Sequence, residues 1–177
     1  MATERDPLSH RDWWRLGQAL QWVWAYDGQD PETWTRAESA FREAARLHPR
    51  RYPVPLRLRQ DSFDRVAEEA LQSIPDALRD LLENTAIVVR PLPSPDLVRE
   101  DGIEPDVLGL WMQSPAGTGG IEALGDGGLD AIELYQLNIE NVCADLRTLH
   151  REIRATVLHE VGHHFGMDHH ALDDAGL

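Results

Sequence analysis

Near its C-terminal end the chain reads His159-Glu160-Val161-Gly162-His163-His164-Phe165-Gly166-Met167-Asp168-His169, a full H-E-x-x-H-x-x-G-x-x-H pattern, and nothing else in the 177 residues restricts the fold as much. The pattern asks for a helix that stops at Gly166 and a turn that comes back on it. His159 and His163, four residues apart on a helix, project from one face about 40° apart in azimuth. Two imidazoles so placed can share one Zn²⁺ at roughly 2.0–2.1 Å each. Glu160 sits beside the first imidazole and can act as general base on a water without being a ligand. Gly166 leaves the helix sharply because it has no Cβ to clash at positive φ. The turn then returns His169 as a third ligand, which leaves the fourth position for water, as in a catalytic zinc site. Residue frequencies put a chance match to the full pattern on the order of 10⁻⁴ per chain. Leu149, Ile153, Val157 and Val161 set the motif on a helix with a buried side.

The other polar residues nearby have plainer readings. His164, about 140° around the helix from His159, faces the apolar side as a packed or supporting histidine. His150 lies on the same side and belongs to the core, and His170 is solvated. Asp168 either orients a ligand histidine or is an ordinary turn residue. Cys143, the only cysteine, reads as a small buried hydrophobe. Tyr135 is a core tyrosine on a strand in preference to an oxyanion donor.

Upstream, the pattern is helical and then mixed. Trp13, Trp14, Leu16, Leu20, Val23 and Trp24 recur at helical spacing, and Trp34, Ala37, Phe41, Ala44 and Leu47 form a second stripe. Between them Asp30 is placed as a cap and Pro31 as the first residue of the next helix. The hairpin resembles a single tetratricopeptide unit only weakly, and one such unit has no neighbour on which to bury its face. Residues 48–60, with Pro49, Pro53 and Pro55, read as a linker. A helix follows from about residue 61, capped by Asp61 or Ser62, with Phe63, Val66, Ala67, Ala70, Leu71 and Ile74 on one stripe. A short helix from Pro75 carries Leu78, Leu81 and Leu82 and closes at Asn84. Strands are expected at 85–90, 107–113 and 131–139, separated by loops, and one long helix at 146–165. The result is an α+β chain: a helical hairpin and linker at 1–58, and a domain at 59–177 whose small β-sheet packs on helices.

Composition narrows the partners. There are 31 acidic residues against 17 basic ones, every basic residue being Arg, for a net charge of −14. Such a chain repels nucleic-acid phosphates and anionic membranes, so neither is expected as a partner. Arg46, Arg50, Arg51, Arg57 and Arg59 form the nearest thing to a basic cluster and read as a solvated interdomain segment. With one cysteine, no apolar leader and no membrane-spanning run, a cytoplasmic location is expected.

From about residue 61 onward the chain resembles the minimal zincin-like metallopeptidase family of small bacterial proteins. The resemblance is carried by Phe63, Ala70-Leu71, Pro75, Leu78, Leu82, Asn84, Val88-Val89, Leu108-Gly109-Leu110, Leu134-Tyr135, the stretch 159–168, Leu172, Asp173 and Gly176. It implies a compact domain of a few strands and helices around a zincin-like site, with peptidase activity presumed from that site. Two departures stand out. That family often has an acidic residue where this chain has His169, a ligand more like that of the metzincins. Metzincins in turn have a methionine turn downstream of the third histidine, and no Met occurs among the eight residues after His169.

The expected function is therefore a zinc-dependent peptidase with His159, His163 and His169 as ligands and Glu160 as base, acting on a peptide or protein loop. An extended substrate would pair with a strand edge near the site, either 107–113 or 131–139. The alternative is a catalytically weak zinc-binding module that holds a protein partner through the Trp-rich hairpin.

Overall fold

The structure is a computed structural model that describes residues 8–82, 85–113 and 130–164. It divides into two compact units, one of Met1–Leu56 with Asn141–Ala144, the other of Arg57–Glu140 with Asp145–Leu177. The first unit holds eight of the 31 acidic residues and eight of the 17 arginines, so the entire net charge of −14 falls on the second.

Unit 1 is built on helices α1 (His10–Tyr26) and α2 (Pro31–Leu47). Both start as their sequences require. The Ser9 side chain accepts the Asp12 N–H while the Asp12 carboxylate accepts the Ser9 N–H, a reciprocal capping box. Asp30 accepts the Thr33 N–H at 2.8 Å, and Pro31 supplies a preset φ in the first turn. The helices meet closely at Gly17, where a Cβ would lie 2.8 Å from the Phe41 ring. Phe41, Ala37 and Ala44 are fully buried there, as the second stripe predicts. Trp14 packs edge-on against Phe41 at 4.8 Å, and the Trp24 and Trp34 rings meet at a tilt with centroids 4.7 Å apart. Gln21 is buried with its Oε1 accepting from Asn141 Nδ2 at 2.8 Å. Cys143 is buried too, and its carbonyl accepts the Leu56 N–H at 2.8 Å.

Unit 2 is α+β. Helix α3 (Gln60–Gln72) is followed by a short α4 (Asp76–Arg79) and a 3₁₀ turn, then β1 (Thr85–Arg90), α5 (Pro95–Arg99), β2 (Gly109–Met112), β3 (Asp130–Tyr135), α6 (Gln136–Val142) and α7 (Leu146–His164). The sheet order is β1-β3-β2, with β1 parallel and β2 antiparallel to β3. One seam of α7, formed by Leu149, Ile153, Val157 and Val161, is buried, and the helix packs on α3, β2 and β3. Each such side chain contributes about 1.5–3 kcal/mol on burial.

Three expectations need correction. The N-cap of α3 is Arg59, which makes no side-chain cap hydrogen bond and lies two or three residues before the expected Asp61 or Ser62. Ser94 caps a helix, α5, within a stretch read as loop. The strand expected at 131–139 ends at Tyr135, and residues from Gln136 onward are helical. Leu137-Asn138-Ile139-Glu140 alternates apolar with polar residues, which is the period of a strand, and the polar members are buried in α6. Asn84 and the end of the last helix beyond His164 lie outside the described residues. No helix among the described residues is long and apolar enough to cross a membrane.

Candidate functional site

Helix α7 positions the site. It is capped by Asp145, whose carboxylate accepts the Thr148 N–H at 2.8 Å. While its 149-153-157-161 seam enters the core, Glu152, Ala155, Thr156, His159 and Glu160 line a groove of about 380 Å³ whose opposite wall is residues 107–109 at the start of β2. The spacing of these five residues is that of a single helical stripe.

Within that helix the His159 and His163 rings stand nearly perpendicular with centroids 4.3 Å apart, and their Nε2 atoms are 2.9 Å apart. Glu160 is half-buried, and its Oε2 accepts the backbone N–H of Trp111 at 3.0 Å. Burial pushes the Glu160 carboxyl above the usual carboxylate range, and the Trp111 amide draws it part of the way back. The donor is a backbone group on the edge strand β2. Sequence reasoning misses it because a peptide N–H leaves no mark in the residue type.

β2 approaches α7 closely. A Cβ on Gly109 would come within 2.6 Å of Thr156 Cγ2 and 2.9 Å of the Glu133 carbonyl oxygen. The Leu108 carbonyl accepts the Tyr135 N–H, so in the antiparallel alternation Gly109 and Trp111 turn their peptide groups away from β3. Trp111 uses that direction to reach Glu160.

The remaining residues fall as follows. Tyr135 is fully buried and donates to Glu133 Oε2 at 3.0 Å, the place of a core tyrosine. His150 is half-buried on α7. His169, Gly166, Asp168 and His170, and the side chain of His164, lie outside the described residues. Among the described residues no three His, Cys, Asp or Glu side chains converge as a metal-holding group.

A second polar centre was not anticipated. Glu140 is fully buried; its Oε1 accepts from Leu58 N–H (3.1 Å) and Gln136 Nε2 (2.8 Å), and its Oε2 lies 3.4 Å from Arg57 Nη1. It ties the segment entering α3 to α6. Burial raises its pKa, and the Gln136, Leu58 and Arg57 contacts oppose the rise.

Residues 82–177, more than half of the sequence, match the family described as zincin-like metallopeptidase. The chain belongs to that family. Its matched region begins at the 3₁₀ turn, later than the resemblance read from residue 61, and takes in the sheet, α7 and the residues after it. Comparison with curated proteins yields no match. Membership in the zincin-like family implies a zinc site, and the donors described on α7 suit one. Two imidazole nitrogens at about 2.0–2.1 Å from a tetrahedral zinc stand roughly 3.3 Å apart. The Nε2 atoms of His159 and His163 already point at each other across 2.9 Å.

Proposed function

We propose that this zincin-like protein is a zinc-dependent peptidase, with His159, His163 and His169 holding the metal and Glu160 as general base. The observation that carries the reading is the placement of the paired imidazoles and the Glu160 carboxylate on one stripe of α7, at the edge of a groove walled by β2. Zinc held by the three histidines would supply the Lewis acidity that acidifies a water and polarises a carbonyl. Trp111 N–H engages Oε2 of Glu160, so Oε1 is the oxygen that takes the proton of the attacking water and passes it to the leaving amine. The half-buried setting keeps the Glu160 carboxyl basic enough for that task. Of the two strands considered as docking edges, β3 is hydrogen-bonded on both sides, which leaves the edge strand β2 to receive an extended substrate.

The test pairs elemental analysis with peptide turnover. Glu160→Gln is expected to retain one zinc per chain and lose about 10²–10⁴-fold in kcat. His159→Ala is expected to lose both the metal and the activity. A Glu160→Gln protein that cleaves peptides at the native rate would rule out the assigned base.

A further inference from the structure

The geometry points to a second binding site in unit 1: a pocket formed by His10, Arg11, His48, Arg51 and Tyr52 that takes a phosphate-type dianion. It shares no residue with the α7 groove and stands independently of the peptidase reading.

The pocket arises from the way α2 ends. His48 caps the helix, and its carbonyl accepts the N–H groups of both Arg51 (3.1 Å) and Tyr52 (3.0 Å). The chain therefore curls back, and the Arg51 guanidinium carbon comes 5.8 Å from the centre of the Tyr52 ring. His10, the first residue of α1, places its ring 5.1 Å from His48 and 5.5 Å from Tyr52. Tyr52 in turn rests 4.9 Å from Trp14, which packs on the buried Phe41. An aromatic row thus fixes the floor of the pocket to the hairpin core, and the two guanidiniums stand on its walls around about 320 Å³.

The residues that line this pocket include two guanidiniums and no carboxylate. Among the described residues neither Arg11 nor Arg51 is within ion-pair distance of a carboxylate, so both guanidiniums keep their donors for a ligand. The nearest carboxylate in sequence, Asp12, is turned to the Ser9 N–H and hydroxyl. The start of α1 is closed by the Ser9–Asp12 box and His48 ends α2, so the positive character of the pocket rests on the two guanidiniums. Two guanidinium forks with two imidazoles offer more donors than a single carboxylate can accept, and they suit a dianion with several oxygens. The volume leaves room for either free phosphate or a phosphate ester whose organic group lies on the rings.

The test is calorimetric titration of the full chain with inorganic phosphate and, separately, with phenyl phosphate at fixed salt. Saturable binding of one anion per chain is expected, weakened about tenfold or more in the Arg11→Gln/Arg51→Gln double variant at an unchanged melting temperature. Should the double variant not fold, Arg51→Gln alone carries the same criterion. His159→Ala is expected to leave the binding intact, which separates this pocket from anion binding at a metal. Tighter binding of inorganic phosphate assigns the free anion as ligand; tighter binding of phenyl phosphate assigns an ester. No saturation, equal affinity in the arginine variants, or loss of binding with His159→Ala would each overturn the proposal.

Discussion

Oε2 of Glu160 accepts a peptide N–H from β2, and the proposed reaction assigns the proton transfer to Oε1. That hydrogen bond can be tested by removing its donor. Trp111 lies on the edge strand with its N–H turned away from β3, so proline there deletes the donor to Glu160 without breaking a ladder bond. Trp111→Val serves as the control for the lost indole. We expect Trp111→Pro to fall about tenfold below Trp111→Val in kcat, with equal zinc content, because a carboxylate free to rotate is less well aimed. Equal rates in the two variants would mean that the hydrogen bond does not position Glu160. At this scale the sequence was legible where chemistry resides in side chains. His159, Glu160 and His163 carry their spacing openly, and the structure sets them on one helix. The Trp111 amide, the Glu140 hub and the meeting of His10 with His48 were not legible, since a peptide group has no residue type and the last two depend on contacts between segments distant in sequence.

Among elements, the tightest approach is that of β2 to α7 at Gly109. An added methyl there meets Thr156 Cγ2 and a backbone oxygen that cannot swing aside. Gly109→Ala is expected to cost about 1–3 kcal/mol in urea unfolding, and adding Thr156→Ser is expected to restore only part of it, because the Glu133 carbonyl remains. Full restoration would show that the methyl–methyl contact alone accounts for the loss. The hairpin helices and β1 were readable because caps and periodicity agree there with the final packing. β3 and α6 were not separable, because Leu137-Asn138-Ile139-Glu140 carries the apolar–polar alternation of a strand on into the helix. The parallel pairing of β1 with β3 likewise had no local signal, as the partners come together only through the long connection between them.

For the whole molecule, pH acts on stability through oppositely placed carboxyls. Asp12, Asp30 and Asp145 have their pKa lowered, chiefly by hydrogen bonds in the caps they form, so their contribution is present above the ordinary Asp value and fades as pH falls through the folded one. Glu140 works the other way. Its folded pKa is raised, so the folded state binds the proton more tightly, and its contribution is full below the unfolded value near 4.5 and is lost as pH rises through the folded value. Glu140→Gln should therefore gain stability relative to the native chain as pH is raised from about 4.5 to 7, measured by urea titration at each pH. A constant difference across that range would show that Glu140 titrates alike in both states.

The partition of charge has a kinetic consequence. Because every unit of the −14 excess belongs to the residues of unit 2, that unit alone presents a long-range field to approaching molecules, and the neutral hairpin is electrically quiet. At physiological salt the field reaches about 8 Å before counterions damp it, so it steers only the last step of an encounter. On the proposed peptidase reading, cationic segments are expected to associate faster with unit 2 than neutral or anionic ones, with a spread in rates that narrows as salt is added. Under that reading, selection begins before any contact is made, in how often a segment of each charge arrives at the groove.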